Sequence, residues 1–499
     1  MKLRWDSPAT TAGSESSCRR ALPVCFAVLL VALFSQGARA QSAPSLATMV
    51  TTLRQEGIFQ FDALEYDAAV ANDAAYGHLL TICGPQATAP ASCAGTTQLL
   101  FNQLRALEDN ANQFLGRGET TYSLRLDPEG VGAALRWTAP EEYAAQGSMS
   151  TRFANSQTAV LNSRFAALRF ATLLRAARGG DSGDDAEMVA LNGTPQIGGA
   201  GGDDSVSFGR LSVFANGSFG TGVKDPTTYE DAFSFDDTEA SVGADYRLSS
   251  HWVVGLMIGH TEKRVDFNSE LSVVEGSMRG NGQGALVYFQ YDGDAFYANG
   301  SFGVQHLTLT TTRKITYPSN NPLVPSANDT SLSDTGAQTL IGTLGAGYVY
   351  HYRAFAAEPY VNGQYAKVRI NAFTERSGEG FDFDVAEQNI HAGEIAAGMK
   401  LQVALTPPFG VIVPYVYGEY RHQFSDGSRT IDSTYSASVS NSAQMSLPTD
   451  ASPGHYFVIG GGGSIVLPHG LQGFMQYMRV LDYTNYSDHV VSGGIRWEL

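Results

Sequence analysis

The spacing of apolar positions changes character once along the chain. Residues 42–178 have a helical texture, with Ala, Leu, Gln, Glu and Arg dominant and few Gly. Residues 179–204, GGDSGDDAEMVALNGTPQIGGAGGDD, hold no sustained period and read as a Gly/Asp-rich linker. From about 206 onward the period becomes two and stays there. Twelve strand-like segments follow, near 207–220, 237–249, 251–263, 277–292, 295–312, 337–352, 354–373, 388–405, 409–424, 454–467, 470–483 and 488–499. Their two faces differ. Trp252, Val254, Leu256 and Ile258 share one face, opposed by Gly255 and Gly259. In the last segment, HVVSGGIRWEL, Val491, Gly493, Ile495, Trp497 and Leu499 oppose Ser492, Gly494, Arg496 and Glu498. One face suits hydrocarbon and the other suits water.

The connections sort by length. Short turns at LSSHW, DGDA, HYRA, LTPPF and LPHG alternate with much longer connections such as 313–336 and 425–453, the one around 484–487 being the short exception. Tight turns at one end and long loops at the other are the signature of a membrane barrel, and a soluble sandwich has no reason to sort its loops. An even strand number leaves both barrel ends on the periplasmic side, where the first strand can pair with the last and no edge remains. The chain is then expected to end where the last strand closes the barrel. Glu419 and Arg421 lie on one face of their strand, and in lipid a midplane Arg costs about 2–4 kcal/mol, so this pair is expected to face the pore. Trp252, Phe296, Phe355 and Trp497 fall near the short-turn ends, where an aromatic girdle belongs.

Composition agrees. Only 16% of residues are charged, against about 25% in average chains, while Gly reaches 54, Tyr 23 and Phe 26. Alternate-residue contact with lipid produces this balance. A net charge of −17 with no basic tract excludes a nucleic-acid partner. The one continuous apolar run, VCFAVLLVALF (24–34), follows Arg19-Arg20 and precedes Ala38-Arg39-Ala40. It reads as a signal peptide over 1–40, handed to the secretory translocon because a barrel cannot fold before export. Of the four Cys, Cys18 and Cys25 leave with it. Cys83 and Cys93, in CGPQATAPASC, are then expected to form a disulfide in an oxidising compartment, worth ~3 kcal/mol in the chain-entropy model. Metal binding is the rival reading, but only His78 is near.

The stretch 135–180 has a helix start signal: Thr138 as N-cap, Pro140 early, then Glu141 and Glu142 at the positive end of the dipole. From Pro140 to Ala177 it would run about 57 Å, longer than the ~30 Å of hydrocarbon. Asn155, Gln157, Asn162, Arg164, Arg169 and Arg175 spread around it. Such a helix suits a wet bore.

With these features the chain resembles the autotransporters of the type V secretion pathway of Gram-negative bacteria. The segments that carry the resemblance are RLSVFANGSFG (210–220), HWVVGLMIG (251–259), EPYVNGQY (358–365), PYVYGEYR (414–421) and GGIRWEL (493–499). It implies a mainly β fold: a 12-stranded antiparallel transmembrane β-barrel with a pore-threading α-helix and a small α-helical N-terminal region. The expected divisions are a signal peptide (1–40), a helical passenger-like region (41–134), a pore helix (135–180), a linker (181–204) and the barrel (205–499). The resemblance further implies a C-terminal signal, here Val491, Ile495, Trp497 and Leu499, read by the barrel-assembly machinery of the outer membrane. Leu499 stands where the family usually has an aromatic residue, which leaves Trp497 to carry recognition. The passenger is short and lacks the repeats of a β-helix.

No catalytic constellation or metal-ligand spacing emerges, and no cofactor is expected. GDSGD (180–184) mimics a serine-protease loop without the His and Asp partners a triad needs. His260, His306 and His422 fall at possible outer strand ends with no Ser or acid at matching spacing. The expected function is export or display of the protein's own N-terminal region at the surface of an outer membrane. A porin-like channel with a periplasmic helical plug is the alternative, and an outer-membrane hydrolase a third reading.

Overall fold

The computed structural model describes residues 44–85, 87–88, 90–118, 120–179, 210–267, 273–293, 295–424, 428–437, 444–467 and 471–498. The expected signal peptide, the linker with its GDSGD and Leu499 lie outside these residues. Helices α1 (Leu46–Gln55), α2 (Ala63–Cys83), α3 (Thr96–Phe114) and α4 (Pro128–Trp137) precede the long α5 (Ala144–Gly179). Local chemistry sets the boundaries. Asp62 and Glu65 form a reciprocal capping box on α2, and Asp127 caps α4 with Pro128 at its first position. Cys83 and Cys93 are disulfide-bonded, closing the turn after α2.

The barrel strands are β1 (Leu211–Lys224), β2 (Phe233–Arg247), β3 (Trp252–Phe267), β4 (Gly276–Asp292), β5 (Phe296–Tyr317), β6 (Ala327–Tyr348), β7 (Phe355–Ile370), β8 (Gln388–Val403), β9 (Val411–Gln423), β10 (His455–Val466), β11 (Leu471–Leu481) and β12 (Tyr486–Glu498). Neighbours in sequence pair antiparallel, and β12 pairs with β1 from Ser212↔Glu498 to Lys224↔Tyr486. The sheet is a closed twelve-strand barrel. Its outer wall carries Trp252, Leu256, Ile258, Phe302, Leu344, Val416 and Ile495, each well exposed, as a lipid-facing surface must be.

Three expectations change. Thr138 closes α4, its hydroxyl donating to the Leu135 carbonyl, and does not start the next helix. The domain boundary expected at 134/135 therefore cuts α4, and α5 begins only after a 3-10 turn at Glu141–Tyr143. Pro140 sits ahead of that turn, where its missing N–H is harmless. The expected loop 313–336 is mostly strand, because β5 and β6 pair from Phe296↔Tyr348 out to Tyr317↔Ala327. Above the lipid the alternation continues but with reversed polarity: Thr308, Thr310 and Thr312 face outward while Leu307, Leu309, Ile315 and Tyr317 are buried inside beneath the cap, so the lipid-facing hydrophobic signature that marked the strands ends early. Finally, Thr430–Tyr435 and Gln444–Pro448 from the expected loop 425–453 join Phe373–Thr374 and Phe383–Val385 in a second, four-stranded sheet.

The four small helices cap the long-connection end of the barrel. One continuous core joins them to it, running from Leu64, Leu79, Leu104 and Leu135 through Tyr143 to Phe267, Ile315, Phe383 and Tyr435. A cap that buries its apolar face on strand extensions and the second sheet is held by the hydrophobic effect and not by a tether alone.

Candidate functional site: the occupied bore

The chain passes through the barrel once. From the cap, α5 enters at the long-connection end and descends toward the short-turn end, and β1 begins at that lower end. Three arginines mark its depth. Arg152 reaches Asp237 at 2.6 Å and also pairs with Asp488. Arg164 pairs with Asp245, and Arg169 reaches Glu358 at 2.8 Å. All four acids occupy inward positions of their strands.

Three of the four wall acids also have a wall cation. Lys263 lies 3.8 Å from Asp237, Arg496 lies 3.8 Å from Asp245 and Lys400 lies 3.0 Å from Glu358. An unpaired buried carboxylate costs several kcal/mol. Here Asp237, Asp245 and Glu358 keep a counter-charge whether or not the helix is present. The wall is thus suited to a bore whose contents change.

An apolar contact fixes the helix sideways. Val160, Leu161, Phe165 and Leu168 pack on inward Phe214, Val253, Met257, Leu286 and Ile341, with Phe165 edge-on to Tyr288 at 5.7 Å. The bore is therefore drier on this side than the polar character of the helix predicts. On the other side a cavity of about 530 Å³ remains, lined by Glu419, Arg421, Tyr456, Met478, Tyr486 and Asp488 among others.

Glu419 and Arg421 lie inside the bore. Arg421 bonds Glu419 at 2.5 Å and Glu394 at 3.1 Å, and Tyr360 donates to Glu419 at 2.7 Å. Among the described residues their partners belong to the wall, not to α5. The residues that hold the helix, Asp237, Asp245, Glu358 and Asp488, were not singled out in the sequence. Their signal was an acid on the non-lipid face of a strand. Val491, Ile495 and Trp497 face outward from β12. His260 and His306 point outward too, far from a common site with His422.

Above the bore, the 3-10 turn carries a dense charge cluster outside the membrane-spanning segments. Arg136 meets Asp231 at 2.5 Å, Glu141 at 3.6 Å, Glu65 at 3.8 Å, and Asp62. Arg313 binds Glu375 through two bonds of 2.7 and 2.8 Å, and Tyr143 donates to the same carboxylate. Burial pushes Glu142 up to about 8, Arg313 opposing. Burial likewise holds Glu141 well above the carboxylate range, with Asp231 adding to it. Arg429 donates to the Ala144 carbonyl at 2.6 Å as it crosses the first turn of α5. A Cβ on Gly147 would meet this guanidinium, so a larger residue there requires the Arg429 side chain to shift.

Comparison with known proteins follows the same lines. A family model described as the autotransporter beta-domain matches residues 213–478, more than half of the chain. Among solved structures the chain is similar to the translocator domain of autotransporter NalP from Neisseria meningitidis, at 14% identity and a TM-score of 0.45, covering 69% of this chain and 98% of that one. It is similar to the beta domain of the Bordetella autotransporter Brka at 12% identity and a TM-score of 0.42, covering 58% and 100%. For the transport unit of AIDA-I from Escherichia coli the figures are 11%, 0.36, 59% and 93%. A comparison with curated proteins finds no match.

Proposed function

The chain belongs to the autotransporter β-domain family, and from that premise we propose that its outer-membrane barrel carries its own N-terminal region across the bilayer and keeps it at the cell surface as a docked cap. The observation that carries this reading is the path of the chain: cap at the long-connection end, one helix through the bore, first strand rising from the short-turn end. Both barrel termini lie at the short-turn end, the periplasmic side in an even-stranded barrel. The long-connection end, with the cap on it, is then outside. A periplasmic plug would need the helical region at the opposite end.

In this reading residues 1–40 are removed during passage through the secretory translocon. Val491, Ile495, Trp497 and Leu499 present the last strand to the assembly machinery, and 41–143 is the cargo. The wall cations Lys263, Lys400 and Arg496 neutralise the bore acids before α5 arrives.

Arg117 lies in an exposed turn after α3 and offers a test. Trypsin added to intact cells is expected to cut there, leaving a barrel-linked fragment that begins at Gly118. Protection in intact cells, with cutting only after the outer membrane is permeabilised, would place the cap in the periplasm and end the proposal.

A further inference from the structure

The outer wall has a feature the secretion reading does not use. An open depression of about 870 Å³ lies on β2–β7 where the apolar belt ends. Its floor is one cross-strand row, Val242, Ile258, Ala285, Val304 and Leu340, each opposite the next. Ala285 is the low point between Ile258 and Val304. The row above it, about 7 Å higher, runs His260, Gln283, His306, Gln338 and Arg369. The lining is therefore apolar below and hydrogen-bonding above.

Lys367 breaks the pattern. It stands directly opposite Leu340, within the apolar row, and is exposed on the lipid side. It has no ion-pair partner among the described residues. A Lys on the lipid face costs stability, and ionisable groups at membrane depth mark functional sites. Its stem can rise to the upper row. There Arg369 holds Glu387 at 2.5 Å through one of its nitrogens and keeps other donors. No carboxylate lines the depression among the described residues.

We propose that this depression seats one outer-leaflet lipid with a phosphate-bearing headgroup, its acyl chain over Ala285 and its phosphate held by Lys367 and Arg369. Cations that are costly beside hydrocarbon become favourable when an anionic headgroup meets them there. The apolar floor points to a lipid as the source of that phosphate, because a free anion gains nothing from it. The site is independent of what passes through the bore.

The test uses the purified full-length protein, reisolated from mixed micelles of phosphatidylcholine and phosphatidic acid, with bound lipids quantified by mass spectrometry. Wild type is expected to enrich phosphatidic acid, and K367Q and R369Q to lower the enrichment about five-fold each, the effect of one basic side chain near an anionic membrane surface. K367R should retain it. So should R479Q, which removes an exposed charge from β11 on another part of the wall. Heat-shifted electrophoretic mobility checks that each variant is folded. No enrichment by wild type, or equal enrichment by the K367Q/R369Q double variant, would overturn the proposal. Displacement by excess inorganic phosphate alone would overturn it as well, leaving a site for a free anion.

Discussion

Glu142 enters the seam between cap and barrel fully buried, and neither of its carboxyl oxygens has a well-formed hydrogen bond among the described residues. Burial raises its pKa from an ordinary 4.5 to about 8. Folding therefore takes up a proton between those values. The stabilising contribution is complete below the unfolded pKa and is lost as pH rises through the folded one, by a few kcal/mol. The wild-type cap is expected to loosen progressively from pH 4.5 to 8, read as a falling melting midpoint or as faster proteolysis at Arg117. In E142Q the decline should be shallower, with the likewise raised Glu141 and Glu108 contributing to what remains. A wild-type profile flat over that range would refute the assignment. The sequence put both glutamates at a helix N-terminus, where a charge is welcome. Once the cap covers that turn, desolvation outweighs the dipole.

The α5 helix is held by three arginines at three depths and by one apolar contact. Breaking a buried pair typically costs ~3–5 kcal/mol. R164A or R169A alone should cost less than that, because Asp245 and Glu358 still have Arg496 and Lys400 within 4 Å, whereas R152A also strips Asp488 of its cation and should cost the most of the three. The triple variant is expected to leave a folded barrel with a loosely seated helix. In planar bilayers it should pass a larger, noisier ion current than wild type. An unchanged current would mean that the apolar contact of Phe165 and Leu168 suffices. Period two located the strands of the barrel because lipid contact imposes it on every second residue. It lost the ends of β5 and β6 above the membrane, where the hydrophobes turn inward under the cap and the outward face becomes polar. Thr138 and Pro140 read in the sequence as the start of a helix, whereas Thr138 ends the one before it. Which helix it served depended on Val131, Leu135 and Trp137 packing into the cap.

For the whole molecule, closure is the decisive event. β12 hydrogen-bonds to both β11 and β1, so its loss opens two edges at once. Removing residues 496–499 deletes the end of that strand together with Arg496, which donates to Ser212 at 2.9 Å and lies near Asp245. The truncated protein is expected to fail assembly and accumulate without the heat-shifted mobility of a closed barrel. Normal outer-membrane levels would show that closure tolerates a short last strand.

Alternation and loop sorting by themselves determined a membrane barrel of twelve strands and the lipid-facing side of several of them, and helix signals a long polar helix ahead of it. They did so because contact with hydrocarbon writes its demand residue by residue. The pairing of Arg152, Arg164 and Arg169 with particular wall acids was decided only by the tertiary structure. So were the seating of the cap on the long-connection end and the second sheet beneath it. These depend on the depth and rotation of one helix inside a closed wall, and residues from 81 to 336 positions apart meet there without any local pattern to announce it.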